Sequence, residues 1–435
     1  MIRIYQFFLF ITLLIAGPFL LLKKKARAGL AQKFGLIPAD IKKISPSLEN
    51  CIWIHAVSVG EFNAVYPLVK KIKNEYPDAP LVISTTTATG QKIAREKASK
   101  LATIIYFPFD LPFALNPWLD TLKPSTVVIV ETEIWPGFIQ ECQRRNIAIL
   151  SVNARISPGS YKWYKKFRYF FGPVLTLFAR IGVQNKSEQE RFVGCGAREE
   201  QIEILGNIKL DGLEPESERT RTSIINKLSL TENDFVIVAG STHEGEEEAL
   251  LNLVQALSME EEENKPIKLI IAPRHPERFE RAAEIVRAKG FKLARYSQEG
   301  NLNDPQTVYL LDVLGQLTSF YSIASLAFVG GTIAPVGGHS LAEPYANQVP
   351  VFCGPNIQKT RDIARELLSC QALEIGGDDD ELLDIARSFY HNEPLRKETG
   401  KRGALWLKEN QGACLRAFEM MQPYLPETKL LESKR

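Results

Sequence analysis

Residues 328–356, FVGGTIAPVGGHSLAEPYANQVPVFCGPN, restrict the fold more tightly than any other part of the chain. The apolar run at 326–329 has the length and content of a buried parallel strand. Gly330-Gly331 and Gly337-Gly338 bracket a loop around Pro335, and paired glycines let a backbone turn sharply and approach a ligand with no Cβ in the way. Ser340, with Glu343 three residues on, has capping-box spacing and predicts the start of a helix. A second apolar run at 349–353 ends in Gly354-Pro355. Strand, glycine loop, helix and strand make a βαβ unit, the arrangement that aims a helix N-terminus at a phosphate. The same pattern also fits an ordinary crossover in which Glu343 only caps.

The rest of the chain repeats this alternation. Apolar runs at 51–57, 81–84, 104–107, 126–130, 148–152, 180–184 and 202–205 each end in polar or glycine-rich segments. Runs at 235–239, 267–271 and 309–311 do the same in the second half. Between them lie helical periodicities such as Val65, Leu68, Val69 and Ile72. The predicted class is therefore α/β, with two Rossmann-like doubly wound domains facing a cleft and an N-terminal apolar anchor helix. The boundaries expected are 1–30 for the anchor and its basic flank, 31–213 for the first domain and 223–425 for the second. The polar stretch 214–222, EPESERTRT, is the expected linker.

Residues 4–22 are almost wholly apolar, interrupted only by Gln6, Thr12 and Gly17-Pro18. At helical rise about 19 residues span about 28 Å, enough for a hydrocarbon core. Lys23, Lys24, Lys25 and Arg27 follow directly. A cleaved signal peptide is the competing reading, because Ala26-Arg27-Ala28 resembles a cleavage site. The basic cluster, however, lies where a signal peptide has its uncharged cleavage region. An anchor that spans or lies at the interface, with the remainder in the cytoplasm by the positive-inside rule, is the expectation.

Net charge is only +2, which gives nucleic-acid binding no global electrostatic support. The six cysteines include no C-x-x-C pair, and the five histidines are far apart in sequence, so reduced thiols, no metal and no cofactor are expected. His243-Glu244 lacks the second histidine of the zinc motif H-E-x-x-H. The acidic run at 260–263 is read as a solvated loop. Residues 161–171, YKWYKKFRYFF, placed on one helix, put Trp163, Phe167, Phe170 and the following Val174 on one side and Lys162, Lys165, Lys166 and Tyr169 on another. That is either a core helix with lysines in water or an aromatic-basic segment touching anionic headgroups.

In doubly wound sheets, ligands bind beyond the carboxyl ends of the strands. Ser241, Thr242, Arg274, Gly315, Ser340 and Glu343 all fall there in the second half. Arg274 offers a permanent cation with bidentate donors for a phosphate or carboxylate. The helix N-termini after Gly240 and at Ser340 are expected to add N–H groups for that anion. Glu343 suits ribose hydroxyls. In the first half, Glu61 opens a helix beside Gly60, where it can serve as a general base or simply favour the helix dipole. Glu131 can hold an acceptor, and Lys209 can neutralise a departing phosphate; each is equally able to be a buried ion-pair member.

HAVSVGE (55–61), TTTATG (85–90), ETEIWP (131–136), NARIS (153–157), GNIKLD (206–211), GSTHEGEE (240–247), PRHPERF (273–279) and FVGGTIAPVGGHSLAEP (328–344) occur in order. Together they resemble the Kdo transferases, the 3-deoxy-D-manno-octulosonic acid transferases of lipid A core biosynthesis, over essentially the whole chain. The resemblance implies a GT-B glycosyltransferase that inverts at the anomeric carbon. Its donor would be CMP-Kdo and its acceptor the lipid A precursor lipid IVA, at the cytoplasmic face of the inner membrane. It implies Glu61 as general base, with Glu131 and Lys209 supporting the transition state. It also implies that Pro273, Arg274, Leu314, Gly315, Gln316, Ser340, Leu341, Ala342 and Glu343 hold CMP. Ser340 departs from the asparagine usual in the family, losing an amide that donates and accepts at once. A sugar-nucleotide epimerase of the same architecture and a catalytically silent nucleotide-binding scaffold are the alternatives.

Overall fold

Each apolar run before residue 206 becomes a strand of one parallel seven-stranded sheet. The strands are β1 (Ile52–His55), β2 (Leu81–Thr85), β3 (Thr103–Tyr106), β4 (Thr126–Val130), β5 (Ala148–Ala154), β6 (Arg180–Val183) and β7 (Ile202–Ile204), in the order β3-β2-β1-β4-β5-β6-β7. Both faces of the sheet are covered. Along β4, Val127 and Ile129 enter one buried cluster with Trp53 and Phe138, while Val128 and Val130 enter another with Ile52 and Ile54. That alternation explains why the strands read as continuous apolar runs.

The computed structural model describes residues 1–22, 27–259, 265–304 and 306–426. The chain divides into one unit of Met1–Gly212 with Gln411–Arg435 and another of Leu213–Asn410. This division differs from the expected 223–425 at its end. Helix Ala413–Met421 buries Cys414, Ala417, Phe418 and Met421 among Val65, Leu68 and Ile72 of the first unit. Its first turn is capped by the Asp211 carboxylate, which accepts from Cys414 N at 2.5 Å. The expected linker is also half helical, because the Ser217 side chain caps helix Glu218–Leu228.

The second unit carries β8 (Phe235–Thr242), β9 (Ile267–Pro273), β10 (Lys292–Arg295), β11 (Thr307–Leu310), β12 (Leu326–Val329), β13 (Val351–Cys353) and β14 (Leu373–Ile375). Their order is β10-β11-β9-β8-β12-β13-β14, and every paired neighbour is parallel. The topological switch points fall between β1 and β4 in the first sheet and between β8 and β12 in the second. Those are the crevices where doubly wound sheets bind ligands.

Residues of the expected anchor form helix Ile2–Leu22. Among the described residues, however, no helix is long and apolar enough to cross a membrane. Ile4, Phe7, Phe8, Phe10, Leu14 and Ile15 of this helix are nonetheless exposed. Lys23 to Lys25, Ala26 of the candidate cleavage site and the acidic run at 260–263 lie outside the described residues. The aromatic-basic segment is not one helix. It breaks at Phe167 into Pro158–Lys166 and Arg168–Leu175, so Val174 is buried while Trp163 and Phe167 stack in the open, 5.4 Å apart.

Candidate functional site

In the first unit the switch point brings together residues 70 positions apart in sequence, because β1 pairs with β4 in register. Beyond β1, Ser58 caps helix Val59–Glu75 by accepting from Glu61 N. The Glu61 carboxylate turns back to accept from Val57 N at 2.8 Å and from the Ser58 hydroxyl at 3.0 Å. Capping is therefore part of what Glu61 does. Burial pushes its carboxyl above the ordinary range, and the charge of Glu131 adds to the rise; the Val57 amide, the Ser58 hydroxyl and Lys209 oppose it. A carboxylate made more basic in this way is better suited to accept a proton.

Glu131, directly after β4, has φ 60°, a left-handed conformation that is costly for a side chain with a Cβ and that concentrates at functional sites. Its carboxylate, 10% exposed, accepts from Lys209 Nζ at 2.6 Å and from Arg155 Nε at 3.1 Å. Asn153, also left-handed at φ 56°, accepts from Ile208 N at 3.1 Å through its side chain. That contact ties the end of β5 to the turn bearing Lys209, and Asn207 caps the same turn. Glu61, Glu131 and Lys209 thus form one electrostatically connected group.

Sequence reasoning missed two members of this group. Arg155 supplies the second cation on Glu131. Glu133 is pushed up to about 7, first by burial and then by the negative charge of Glu61. Both lie in strand-end motifs, but only the adjacency of β1, β4 and β5 shows what they face.

In the second unit, Pro273 closes β9 and Arg274 emerges exposed, with its N–H on Thr242 O at 3.1 Å. Burial pushes the Glu343 carboxyl up, opposed by the Ser340 hydroxyl and the Arg274 charge, so these three expected donor residues do converge. Leu341 and Ala342 are buried between Ser340 and Glu343. Leu314, Gly315 and Gln316 form an exposed turn before helix Leu317–Tyr321, with Gly315 at φ +85°.

The expected helix at Ser340 does not form. A short 3-10 turn, Glu343–Asn347, follows Ala342 with no side-chain cap. Pro344 in its first positions disfavours the α conformation of the residue before it and supplies no N–H, so no helix N-terminus points at a ligand here.

The N–H groups of the glycine loop are also committed elsewhere. Glu246, fully buried in the first turn of helix Glu246–Ser258, accepts through Oε1 from Thr332 N and Ile333 N at 2.9 Å and from Ala334 N at 3.2 Å. Its Oε2 accepts from Gly331 N and His243 N, both at 2.8 Å. The close approach that demands glycine is therefore internal. A Cβ on Gly330 would lie 2.4 Å from Ser241 O and 2.8 Å from Glu246 Oε2. Beside Glu246, Glu247 accepts from Thr242 Oγ1 at 3.0 Å and pairs with Arg278 at 2.9 Å.

The fold is shared with solved structures of low sequence identity. A glycosyltransferase from Rickettsia africae matches with a TM-score of 0.59 at 12% identity, covering 87% of this chain and 100% of that one. A putative UDP-N-acetylglucosamine 2-epimerase from Listeria monocytogenes matches with a TM-score of 0.56, also at 12% identity, covering 87% and 98%. These likenesses establish a GT-B-like α/β architecture and nothing about reaction. Sequence is more specific. Residues 28–212 match the family model of 3-deoxy-D-manno-octulosonic-acid transferase (kdotransferase). The 3-deoxy-D-manno-octulosonic acid transferase of Chlamydia muridarum is 29% identical over 98% of each chain. That of Haemophilus influenzae is 31% identical, covering 97% of this chain and 99% of the relative. At that identity over nearly the whole of both chains, the chain belongs to the Kdo transferase family.

Proposed function

We propose that this enzyme transfers Kdo from CMP-Kdo to lipid IVA, the lipid A precursor, in lipopolysaccharide core biosynthesis, inverting the anomeric carbon. The observation that carries the chemistry is the carboxylate made basic by burial at the switch point of the first sheet, in charge contact with Glu131 and Lys209. An acceptor hydroxyl must lose its proton as its oxygen bonds to the anomeric carbon, and Glu61 takes that proton. CMP departs carrying the electron pair of the broken glycosidic bond. Lys209 is half-exposed and held at 2.6 Å by Glu131, a cation kept in place without reorganisation as charge develops. Arg155 on the same carboxylate gives Glu131 a second cation, so Lys209 is not its sole partner.

On the donor side, Arg274 binds the phosphate, and Glu343 accepts from ribose hydroxyls. Pro273, the turn of Leu314, Gly315 and Gln316, and the segment of Ser340, Leu341 and Ala342 hold the rest of CMP. Ser340 replaces the family's usual asparagine, and its hydroxyl still reaches Glu343.

The lipid acceptor calls for membrane contact, and the first unit exposes suitable groups. Helix Ile2–Leu22 presents Ile4, Phe7, Phe8, Leu14 and Ile15, and its Tyr5 ring lies 6.0 Å from Phe170. Nearby in sequence to Phe170, Trp163, Phe167 and Tyr169 are exposed, with Lys166 over the first two rings and Arg168 over the third. Apolar and aromatic side chains interleaved with cations fit an anionic headgroup layer. The N-terminal helix is the anchor in this reading, at the cytoplasmic face of the inner membrane.

Mass spectrometry of lipid IVA incubated with CMP-Kdo and the purified enzyme tests the reaction and counts the residues added. Mass increments of Kdo are expected. An unshifted lipid with an isomerised sugar nucleotide would establish the epimerase instead, and no turnover of either substrate would leave the silent scaffold.

A further inference from the structure

The second unit contains a histidine pair that the mechanism above does not use. His243, in the turn after β8, and His339, on the glycine loop, stack at 5.1 Å with their planes 4° apart. Their Nε2 atoms are 2.8 Å apart, so one ring donates a proton to the other. Both are half-buried and reachable. A third imidazole, His275, is 5.5 Å from His243.

The charges around the pair are nearly all positive. Arg274, Arg278, Lys359 and His275 act on it, and Glu246 is the carboxylate that faces His243. Glu246 is already engaged by five backbone N–H groups, and Arg278 pairs with Glu247 at 2.9 Å and Glu244 at 3.8 Å. Arg274 and Lys359 form no ion pair within 4.0 Å among the described residues. Two fixed cations without an ion pair, beside a proton-sharing imidazole pair, outweigh the nearby Glu343 and the already engaged Glu246, which suits the site to an anion. The N–H groups of residues 331–334 are not available to the anion, because Glu246 has taken them.

We infer that the His243–His339 pair, with Arg274 and Lys359, is the anion subsite of the donor pocket, taking the phosphate or the sugar carboxylate and gaining a proton as it binds. The inference rests on the reading that this unit binds a CMP-sugar. In the free protein, burial and the surrounding cations depress both imidazoles, His339 to about 4. A bound anion favours the imidazolium and raises its pKa. Affinity is then greatest below the free values and falls as pH rises from there to the raised value, by up to tenfold per pH unit for one proton, levelling off above it.

Calorimetry at pH 6.0 in buffers of different ionisation enthalpy tests this on the full chain. The probes are cytidine, cytidine 5′-(methyl phosphate) and CMP-Kdo. The methyl ester is a singly charged diester with no proton of its own to exchange. Proton uptake is expected with the ester if the phosphate occupies the pair, and with CMP-Kdo alone if the sugar carboxylate does. Neither is expected with cytidine. His339→Gln and His243→Gln should each abolish the uptake and weaken the responsible anion about tenfold or more, leaving cytidine unaffected. If the parent binds the anionic probes without proton uptake, or the variants bind them like the parent, the subsite is refuted while the CMP-sugar reading stands. If the parent binds none of the three, both fall together.

Discussion

Glu61→Gln separates proton acceptance from everything else Glu61 does. In the parent, one carboxylate oxygen accepts from Val57 N at 2.8 Å and the other from the Ser58 hydroxyl at 3.0 Å. Glutamine keeps the first bond through its carbonyl. Its amide can donate to Ser58 Oγ, since a hydroxyl reverses its role without moving. The helix start therefore survives. Burial raises the native pKa of Glu61 above its unfolded value, so the ionised group lowers stability as pH rises through that range. Removing the charge should hold or slightly raise the Tm at pH 7. General-base catalysis contributes about 10²–10⁴-fold, so kcat should fall by that factor, about 3–5 kcal/mol in barrier. CMP affinity should hold, because the residues proposed to bind the donor belong to the other unit. A second signature comes from Glu133, which the charge of Glu61 helps push up to about 7; in the variant its carboxyl should titrate lower, visible by NMR. The assay is the initial rate of Kdo transfer at saturating donor, with Tm on the same samples. Turnover within a few-fold of the parent would refute Glu61 as base. Activity and Tm falling together would show that Glu61 only caps.

Arg274→Ala should weaken CMP by about 1.5–3 kcal/mol through loss of a charged hydrogen bond, whereas Ser340→Asn should keep or improve affinity; native affinity in Arg274→Ala by calorimetry would remove it from the phosphate site. Glu246→Gln turns an NH₂ group toward part of the five N–H groups the carboxylate now receives; at least two would lose their acceptor, a cost of about 2–5 kcal/mol by urea unfolding, and an unchanged midpoint would show that the loop holds itself. Glu133, pushed up to about 7, makes the native state lose stability as pH rises from its unfolded value through about 7. Glu133→Gln should therefore gain stability over the parent at pH 8 and little at pH 5, and an equal difference at both would contradict the burial of that carboxyl.

Local sequence determined most of the framework. Short apolar runs bounded by polar or glycine-rich segments fit strands covered on both faces, and all seven before residue 206 are strands, whereas the longer run at 4–22 is a helix. Two edge strands escaped notice, β10 with Lys292 and Arg295 and β14 with Glu374, because short half-exposed edges carry polar residues that break the pattern. The motif carboxylates Glu61 and Glu131 were legible as strand-end residues. What only the tertiary structure decided is which groups face one another. Strand order sets Glu133 and Arg155 beside them, and no spacing along the chain encodes that adjacency. The glycine loop shows the same limit more sharply. Its glycines announced a backbone that must approach something closely, but glycine constrains only the approach and not the partner. At Gly330 the partners are Ser241 O and the Glu246 carboxylate, the latter 84 residues earlier, brought there because β8 and β12 pair side by side.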